Sequence, residues 1–319
     1  MMNGEGELVE MLARIFRSES GEVELGIGDD CAVLAPSRGR LVWTVDAQVN
    51  EVHFRREWLT YGDVGFRSFA AAASDVVAMG AAPVAALSAL TLDSPMRDSD
   101  VEALALGQRE ASVEASAPIL GGNLSRGATF SVTTTVLGRV VGGRAVLRGG
   151  ARPGDRLLVS GPLGLAHLGL LAFQKGVADD ASLEPCVQAF RRPRVRYDAA
   201  PVVARAHAAI DVSDGLALDL SRLAQASGVC IVISEEWLLR PGGKVLRDGA
   251  ARLGREPLAA ALLGGEDYVV AFAFPADAPI PDGYWPIGEV EEGQGVLLDD
   301  GNGRREVAAL GHDHFADPK

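Results

Sequence analysis

Lysine is almost absent from this chain. Lys175, Lys244 and Lys319 are the only examples among 30 basic residues, so any phosphate clamp must rely on guanidinium, backbone N–H or metal. The pattern GxxxxGK[ST] is missing and no GxGxxG follows a strand, which removes the P-loop, dinucleotide-fold and protein-kinase readings. There is no GxSxG elbow either, and His53, His167, His207, His312 and His314 do not supply a Ser–His–Asp hydrolase. The His312 and His314 pair lacks the further clustered ligands of a zinc site.

Other shortages narrow the class. Cysteine occurs only as the widely spaced Cys31, Cys186 and Cys230, which suits reduced thiols in the cytoplasm better than a disulfide framework. A basic surplus is lacking: the formal net charge is -13, which argues against duplex nucleic acid or an anionic membrane as partner and suits metal cations. Apolar stretches such as Ala70 to Ala73 and Val76 to Met79 stop well short of the roughly 20 residues a bilayer requires. Met1 to Ser18 reads as an amphipathic helix with Glu5, Glu7 and Glu10, without the basic start and apolar run of a signal peptide.

What is present suits a globular protein. At 319 residues and 48% hydrophobic content, the chain has enough apolar material for two packed domains. Arg40 to Asp46 reads as a strand ending in a carboxylate, and Tyr61 to Gly80 as a helix with Phe66, Phe69, Ala73, Val76 and Val77 near one face. Ser99 with Glu102 suggests a capping box for a helix running to about Ser116. Thr129 to Val141 alternates as a strand. Gly149 to Asp155, rich in Gly and Pro, is the expected linker, which divides the chain into 1–148 and 149–319. Beyond it Arg156 to Ser160, Ala209 to Val212 and Tyr268 to Phe274 read as strands, and Leu165 to Lys175 and Leu216 to Ser227 as helices.

Five segments pair acids with Gly, Ser or Thr: GIGDD (Gly26 to Asp30), TVD (Thr44 to Asp46), SD (Ser74, Asp75), DVSDG (Asp211 to Gly215) and GGED (Gly264 to Asp267). Carboxylates and hydroxyls are hard oxygen ligands suited to Mg2+, and neighbouring glycines let backbone approach phosphate. Any one of them is equally readable as a turn or helix cap. Asp75 says more, because an acid among apolar helix positions must be solvated, paired or metal-bound. In DVSDG an apolar strand runs into Asp211 and a helix follows Gly215, so Ser213 and the following N–H groups are expected at an anion-binding helix N-terminus. A plain N-cap by Ser213 or Asp214 would leave the paired acids unexplained.

Taken together these segments resemble the thiamine-monophosphate kinase family, within the aminoimidazole-ribonucleotide synthetase-like ATP-binding proteins. The resemblance covers nearly the whole chain, through VELGIGDDCAVL (Val23 to Leu34), VHF (Val52 to Phe54), SDVVAMGAAP (Ser74 to Pro83), GGNLSRG (Gly121 to Gly127), DVSDGL (Asp211 to Leu216), GGEDY (Gly264 to Tyr268) and GHDHF (Gly311 to Phe315). It implies an α+β fold of two mixed α/β-sandwich domains. The first would bind ATP and metal and pair strands with a second subunit; the second would complete the active site. It also implies Mg2+-dependent, in-line transfer of the γ-phosphoryl group of ATP to thiamine monophosphate, without a phospho-enzyme.

Position by position, Asp30, Thr44, Asp46, Asp75, Asp211 and Asp214 match the family's magnesium positions. Arg148 and Ser213 match its ATP contacts, with Gly122 beside the phosphates, and His53, Glu266 and Phe315 match positions at the thiamine end. This chain departs from the family at Asn123, where an acid is usual, and at Val45, where a Thr is usual. Asn123 keeps an amide oxygen for a metal but loses a charge, and Val45 retains only its backbone carbonyl. The glycine common before VHF is also missing around Asn50 and Glu51. An active kinase, a binding paralogue without catalysis and another ATPase of the superfamily are the readings this leaves.

Overall fold

The computed structural model describes residues 5–18, 21, 23–25, 27, 33–35 and 38–311; Asp30, Phe315 and the His312 and His314 pair lie outside them. The chain divides into two compact units, Met1–Val76 with Ala81–Gly143, and Val77–Gly80 with Arg144–Lys319. The switch falls ahead of the Gly/Pro-rich 149–155 segment because Val146 is already buried with Val77 and Ala78 in the second unit's core, its N–H donating to the Met79 carbonyl at 3.0 Å. Among the described residues no helix is long and apolar enough to cross a membrane.

The first unit contains α1 (Glu5–Ile15), β1 (Val23–Leu25), β2 (Val33–Leu34), β3 (Leu41–Val49), α2 (Tyr61–Ala78), β4 (Ala81–Leu92), α3 (Asp98–Glu114), β5 (Ile119–Arg126) and β6 (Ser131–Val140). Its main sheet runs β3-β6-β4-β5. Only the β4–β5 pair is parallel. Strand residues alternate between faces, and here the alternation separates two chemistries. Thr44, Asp46 and Gln48 turn toward the helices, where Arg67 Nε on α2 donates to Gln48 Oε1 at 3.2 Å. Leu41, Trp43 and Val45 point the other way and are exposed, Trp43 by 72% and Val45 by 64%.

Beneath the sheet the Gln108 amide of α3 joins strands β4 and β6 and helix α2 through buried hydroxyls. Ser88 Oγ donates to its Oε1 at 3.0 Å, and its Nε2 donates to Ser68 and Thr134 at 3.2 and 3.3 Å. Each polar atom placed there is thereby hydrogen-bonded, as burial demands. Helix α3 begins at Asp98, a residue before the expected cap. The Asp100 carboxylate, three residues past Arg97, accepts the Arg97 N–H at 2.8 Å, so the capping acid is Asp100, not Glu102.

The second unit holds β7 (Arg156–Val159), α4 (Leu165–Gln174), α5 (Glu184–Arg191), α6 (Ala200–Val203), β8 (Ala208–Val212), α7 (Leu216–Ser227), β9 (Cys230–Ser234), α8 (Glu235–Leu238), α9 (Gly243–Leu253), α10 (Pro257–Leu263), β10 (Val269–Phe274), β11 (Trp285–Glu291), β12 (Gly295–Asp299) and β13 (Arg304–Glu306). Its sheet runs β13-β12-β9-β11-β7-β10-β8. Both faces are covered. Ala271 and Ala273 of β10 lie in one core with Leu168, Leu220 and Leu246, while Val270, Phe272 and Phe274 lie in the other with Val203. That is why β10 reads as an unbroken apolar run.

Two glycines set how closely α2 and α3 approach. A Cβ at Gly65 would lie 2.0 Å from the Leu104 carbonyl oxygen, and one at Gly107 would lie 1.9 Å from that of Gly62. Both obstacles are rigid backbone, so Gly65→Ala is expected to lower unfolding stability by about 1–3 kcal/mol through overpacking, measured by urea denaturation.

Candidate functional site

In the first unit the structure brings together two segments separated by 31 positions. Thr44 Oγ1 on β3 donates to Asp75 Oδ2 on α2 at 2.6 Å. Asp46 lies two residues along on the same strand face and is half-buried. The acid that interrupts the apolar pattern of α2 therefore points at the polar face of β3. Because Thr44 gives its proton to Asp75, its oxygen lone pairs remain available to a cation.

Strand register separates Asn123 and Val45 from that pair. Asn123 pairs with Ala89, Ala89 with Thr133 and Thr133 with Ala47, and Thr135 pairs with Val45. Residues directly opposite share a face, so Asn123, Val45 and Ala47 all turn outward. Thr44 and Asp46 turn inward. Asn123 is exposed on the edge strand β5, three strand spacings from β3, or about 14 Å. Of the five positions expected to hold metal in the described part of this unit, the Asn123 and Val45 side chains face away from Thr44, Asp46 and Asp75. At Gly122 a Cβ would fall 1.7 Å from the Ser88 carbonyl oxygen, so the close approach this glycine permits is to the neighbouring strand β4.

His53 sits in the connection after β3. Its Nδ1 accepts the Val49 N–H at 3.1 Å, which fixes the neutral tautomer with the proton on Nε2 and presents that nitrogen as a donor. At Glu51, near the missing family glycine, φ is +67°. The turn thus retains a left-handed backbone on a residue with a side chain, a conformation glycine adopts more readily.

In the second unit the DVSDG and GGED segments are stitched together at the end of paired strands. The Glu266 N–H donates to the Ser213 carbonyl at 2.8 Å and the Tyr268 N–H to that of Val212 at 2.9 Å. A Cβ on Gly265 would come within 2.4 Å of the Ser213 oxygen, so the glycine permits the close crossing. Glu266 and Tyr268 have φ of +73° and +51°, backbone strain of the kind held at functional sites. Tyr268 Oη donates to Glu266 Oε2 at 3.2 Å. Ser213, Asp214 and Glu266 are thereby neighbours. Asp211 precedes them, buried on β8 opposite Val270.

Two of the N–H groups expected at this loop are engaged internally: those of Ser213 and Asp214 both donate to Asp219 Oδ2 at 3.1 Å. Ser213 retains its hydroxyl for a phosphate contact. Asp219 is 1% exposed; burial, then the charge of Asp214, pushes its pKa up to about 6 against the opposing pull of Arg222. Arg222 Nη1 lies 2.7 Å from Asp219 and 2.6 Å from Asp214. Arg148 is exposed, and its carbonyl accepts from Ser227 Oγ at the far end of α7. The helix rise between Leu216 and Ser227, about 16 Å, puts that backbone at the end of α7 away from Ser213.

Sequence reading gives no role to Asp219 or Arg222, and none to Asp267 beyond its place in GGED. The spacing of Asp219 and Arg222, three apart on the helix after DVSDG, was the available signal. Asp267 is buried and caps α4: its carboxylate accepts from Gly164 N at 2.6 Å and Ala166 N at 3.2 Å. A cavity of about 570 Å³ lies elsewhere, beside Trp237, Glu289 and Arg304. Its Glu291 is already paired with Arg304 at 2.8 Å, and no candidate site residue lines it. Among the described residues no three His, Cys, Asp or Glu side chains are grouped to hold a metal.

Comparison with known proteins gives matches along most of the chain. The family described as AIR synthase related protein, N-terminal domain, matches residues 28–140, and its C-terminal domain counterpart matches 152–299. Thiamine-monophosphate kinase of Mycobacterium tuberculosis (strain ATCC 25618 / H37Rv) is 35% identical over 93% of this chain and 88% of its own. The solved thiamine-monophosphate kinase from Stenotrophomonas maltophilia K279a superposes with a TM-score of 0.82 at 34% identity, covering 94% of this chain and 98% of that one. The solved complex of AaThiL with AMPPCP and TMP gives 0.81 at 33% identity, covering 98% and 97%.

Asp267 gives the fold a pH dependence of definite sign. Burial raises its pKa from 3.8 to about 7 despite the two N–H donors, which pull it down. The folded chain therefore holds a proton that the unfolded chain releases near pH 4, and this contribution to stability is lost as pH rises toward 7. The melting temperature of the parent relative to Asp267→Asn is expected to fall between pH 5 and 8, followed by differential scanning fluorimetry.

Proposed function

The chain belongs to the thiamine-monophosphate kinase family, and on that premise we propose that it phosphorylates thiamine monophosphate with ATP, yielding thiamine diphosphate and ADP. An oxygen of the acceptor phosphate bonds to the γ-phosphorus as the bond to the β,γ-bridging oxygen breaks, and that oxygen leaves on ADP. The observation carrying this reading is the 2.6 Å union of Thr44 and Asp75, two distant positions that match the family's cation sites.

The oxygen chemistry of the residues fits Mg2+. Thr44, Asp46 and Asp75 in the first unit, with Asp30, and Asp211 and Asp214 in the second are hard donors of the type that ion prefers. When bound, Mg2+ neutralises charge on the triphosphate and the transferring group. Ser213 offers its hydroxyl to the nucleotide, Gly122 leaves room for phosphate beside backbone, and Arg148 supplies a guanidinium. At the acceptor end His53 donates from Nε2, Glu266 is oriented by Tyr268, and Phe315 contributes an aromatic face to a cationic thiazolium.

Asn123 and Val45 face away from the Thr44–Asp75 pair, so the charge missing at Asn123 leaves that pair intact. This supports an active enzyme over a binding-only paralogue. The same outward face supports a homodimer: Leu41, Trp43, Val45 and Leu87 are exposed together on one sheet surface, an apolar patch that a second copy would cover. A cytoplasmic location is supported by the free, buried Cys186 and Cys230.

Formation of ADP and thiamine diphosphate in equal amounts, titrated with Mg2+ and without phosphate retained on the protein, is the expected result. No thiamine diphosphate at saturating substrates would refute the assignment. Asp75→Asn is expected to lower kcat/KM by at least about a hundredfold, several kcal/mol of lost charge stabilisation; Asn123→Asp should shift the Mg2+ requirement without creating the activity. Trp43→Glu is expected to yield monomers by sedimentation velocity from a dimeric parent.

A further inference from the structure

The Asp214 carboxylate already has a cation. Arg222 reaches back from the second turn of α7, and a single nitrogen, Nη1, lies 2.6 Å from Asp214 Oδ2 and 2.7 Å from Asp219 Oδ1. A guanidinium recognising one carboxylate normally presents two parallel N–H groups. Here one nitrogen bridges two acids, as a point cation does.

The two acids are not equivalent. Asp219 is 1% exposed on its side chain, and its second oxygen is committed to the Ser213 and Asp214 N–H groups. It cannot leave without unmaking the loop, and it needs a positive partner to remain ionised there. The side chains of Asp214 and Arg222 are 25% and 40% exposed, so the bond between them can open into solvent. Two carboxylates facing one guanidinium also leave a net negative charge at this point of the chain.

We propose that Arg222 is an exchangeable counter-ion that competes with a divalent cation for Asp214, while Asp219 is the positioning residue that holds the loop in either state. This rests on the reading of Asp214 as a cation ligand. When a divalent ion engages Asp214, Arg222 retains Asp219 and gives up only the solvent-facing contact. In the absence of nucleotide the guanidinium thus lowers affinity for a bare metal ion, so the ion binds in company with the polyphosphate.

The test is titration of the nucleotide-free protein with Mn2+, read as free-ion electron paramagnetic resonance. Arg222→Gln is expected to bind Mn2+ about two- to fivefold more tightly than the parent, the range of a partly exposed ion pair. Arg222→Lys, which retains the charge, should resemble the parent. Because Arg222→Gln leaves Asp219 buried without its partner, Asp219→Asn combined with Arg222→Gln serves as a second variant. It removes both charges, keeps an amide oxygen for the loop N–H groups, and should show the same tightening. Unchanged or weaker binding in these variants, with a parent affinity that falls in Asp214→Asn, would overturn the competition while leaving the cation reading intact. A parent affinity indifferent to Asp214→Asn would overturn both.

Discussion

A carboxylate withdrawn from water must be met by a donor or a positive charge, and that requirement organises both halves of this protein. Asp75 receives the Thr44 hydroxyl, Asp267 receives two N–H groups from the start of α4, and Asp219 receives two more together with Arg222. The first two answers join segments far apart in sequence, and the third folds a loop back onto the helix that follows it. The loops that carry the candidate site are held at the ends of β8 and β10 because their acids are tied to backbone elsewhere.

The glycines beside the acids serve that stitching more directly than they serve a ligand. Gly265 admits the Ser213 carbonyl, and Gly122 admits that of Ser88. Where a side chain nevertheless occupies a left-handed position, as at Glu51 and Glu266, neighbouring hydrogen bonds hold it. The Glu266 N–H on Ser213 and the Glu51 N–H on Phe54 are those bonds.

Much of this was legible beforehand, unevenly. Strands with β-branched content, such as β3 and β6, and helices with a clear apolar face, such as α2 and α7, lie where their periodicity predicts. Strand β4 was not read, since Ala81–Leu92 is rich in alanine, a helix former; pairing with β6 on one side and β5 on the other overrides that local preference. The site residues were recognisable as residue types, yet their grouping was not. Whether Asn123 shares a face with Asp46 depends on register across four strands, and no local pattern carries that information. The occupation of the Ser213 and Asp214 N–H groups by Asp219 was hidden for a related reason: an acid in the first turn of a helix reads as surface charge until the loop before it is seen to fold back.

The four-stranded sheet of the first unit has a further consequence. Because neighbouring residues along β3 serve opposite surfaces, its even-numbered positions carry the polar pair and its odd-numbered ones an exposed apolar patch, and the two sets can diverge almost independently. A lineage could therefore recast that outer surface by changing Trp43 or Val45 while Thr44 and Asp46 stay fixed between them. An insertion of a single residue in that strand would exchange the two roles at a stroke.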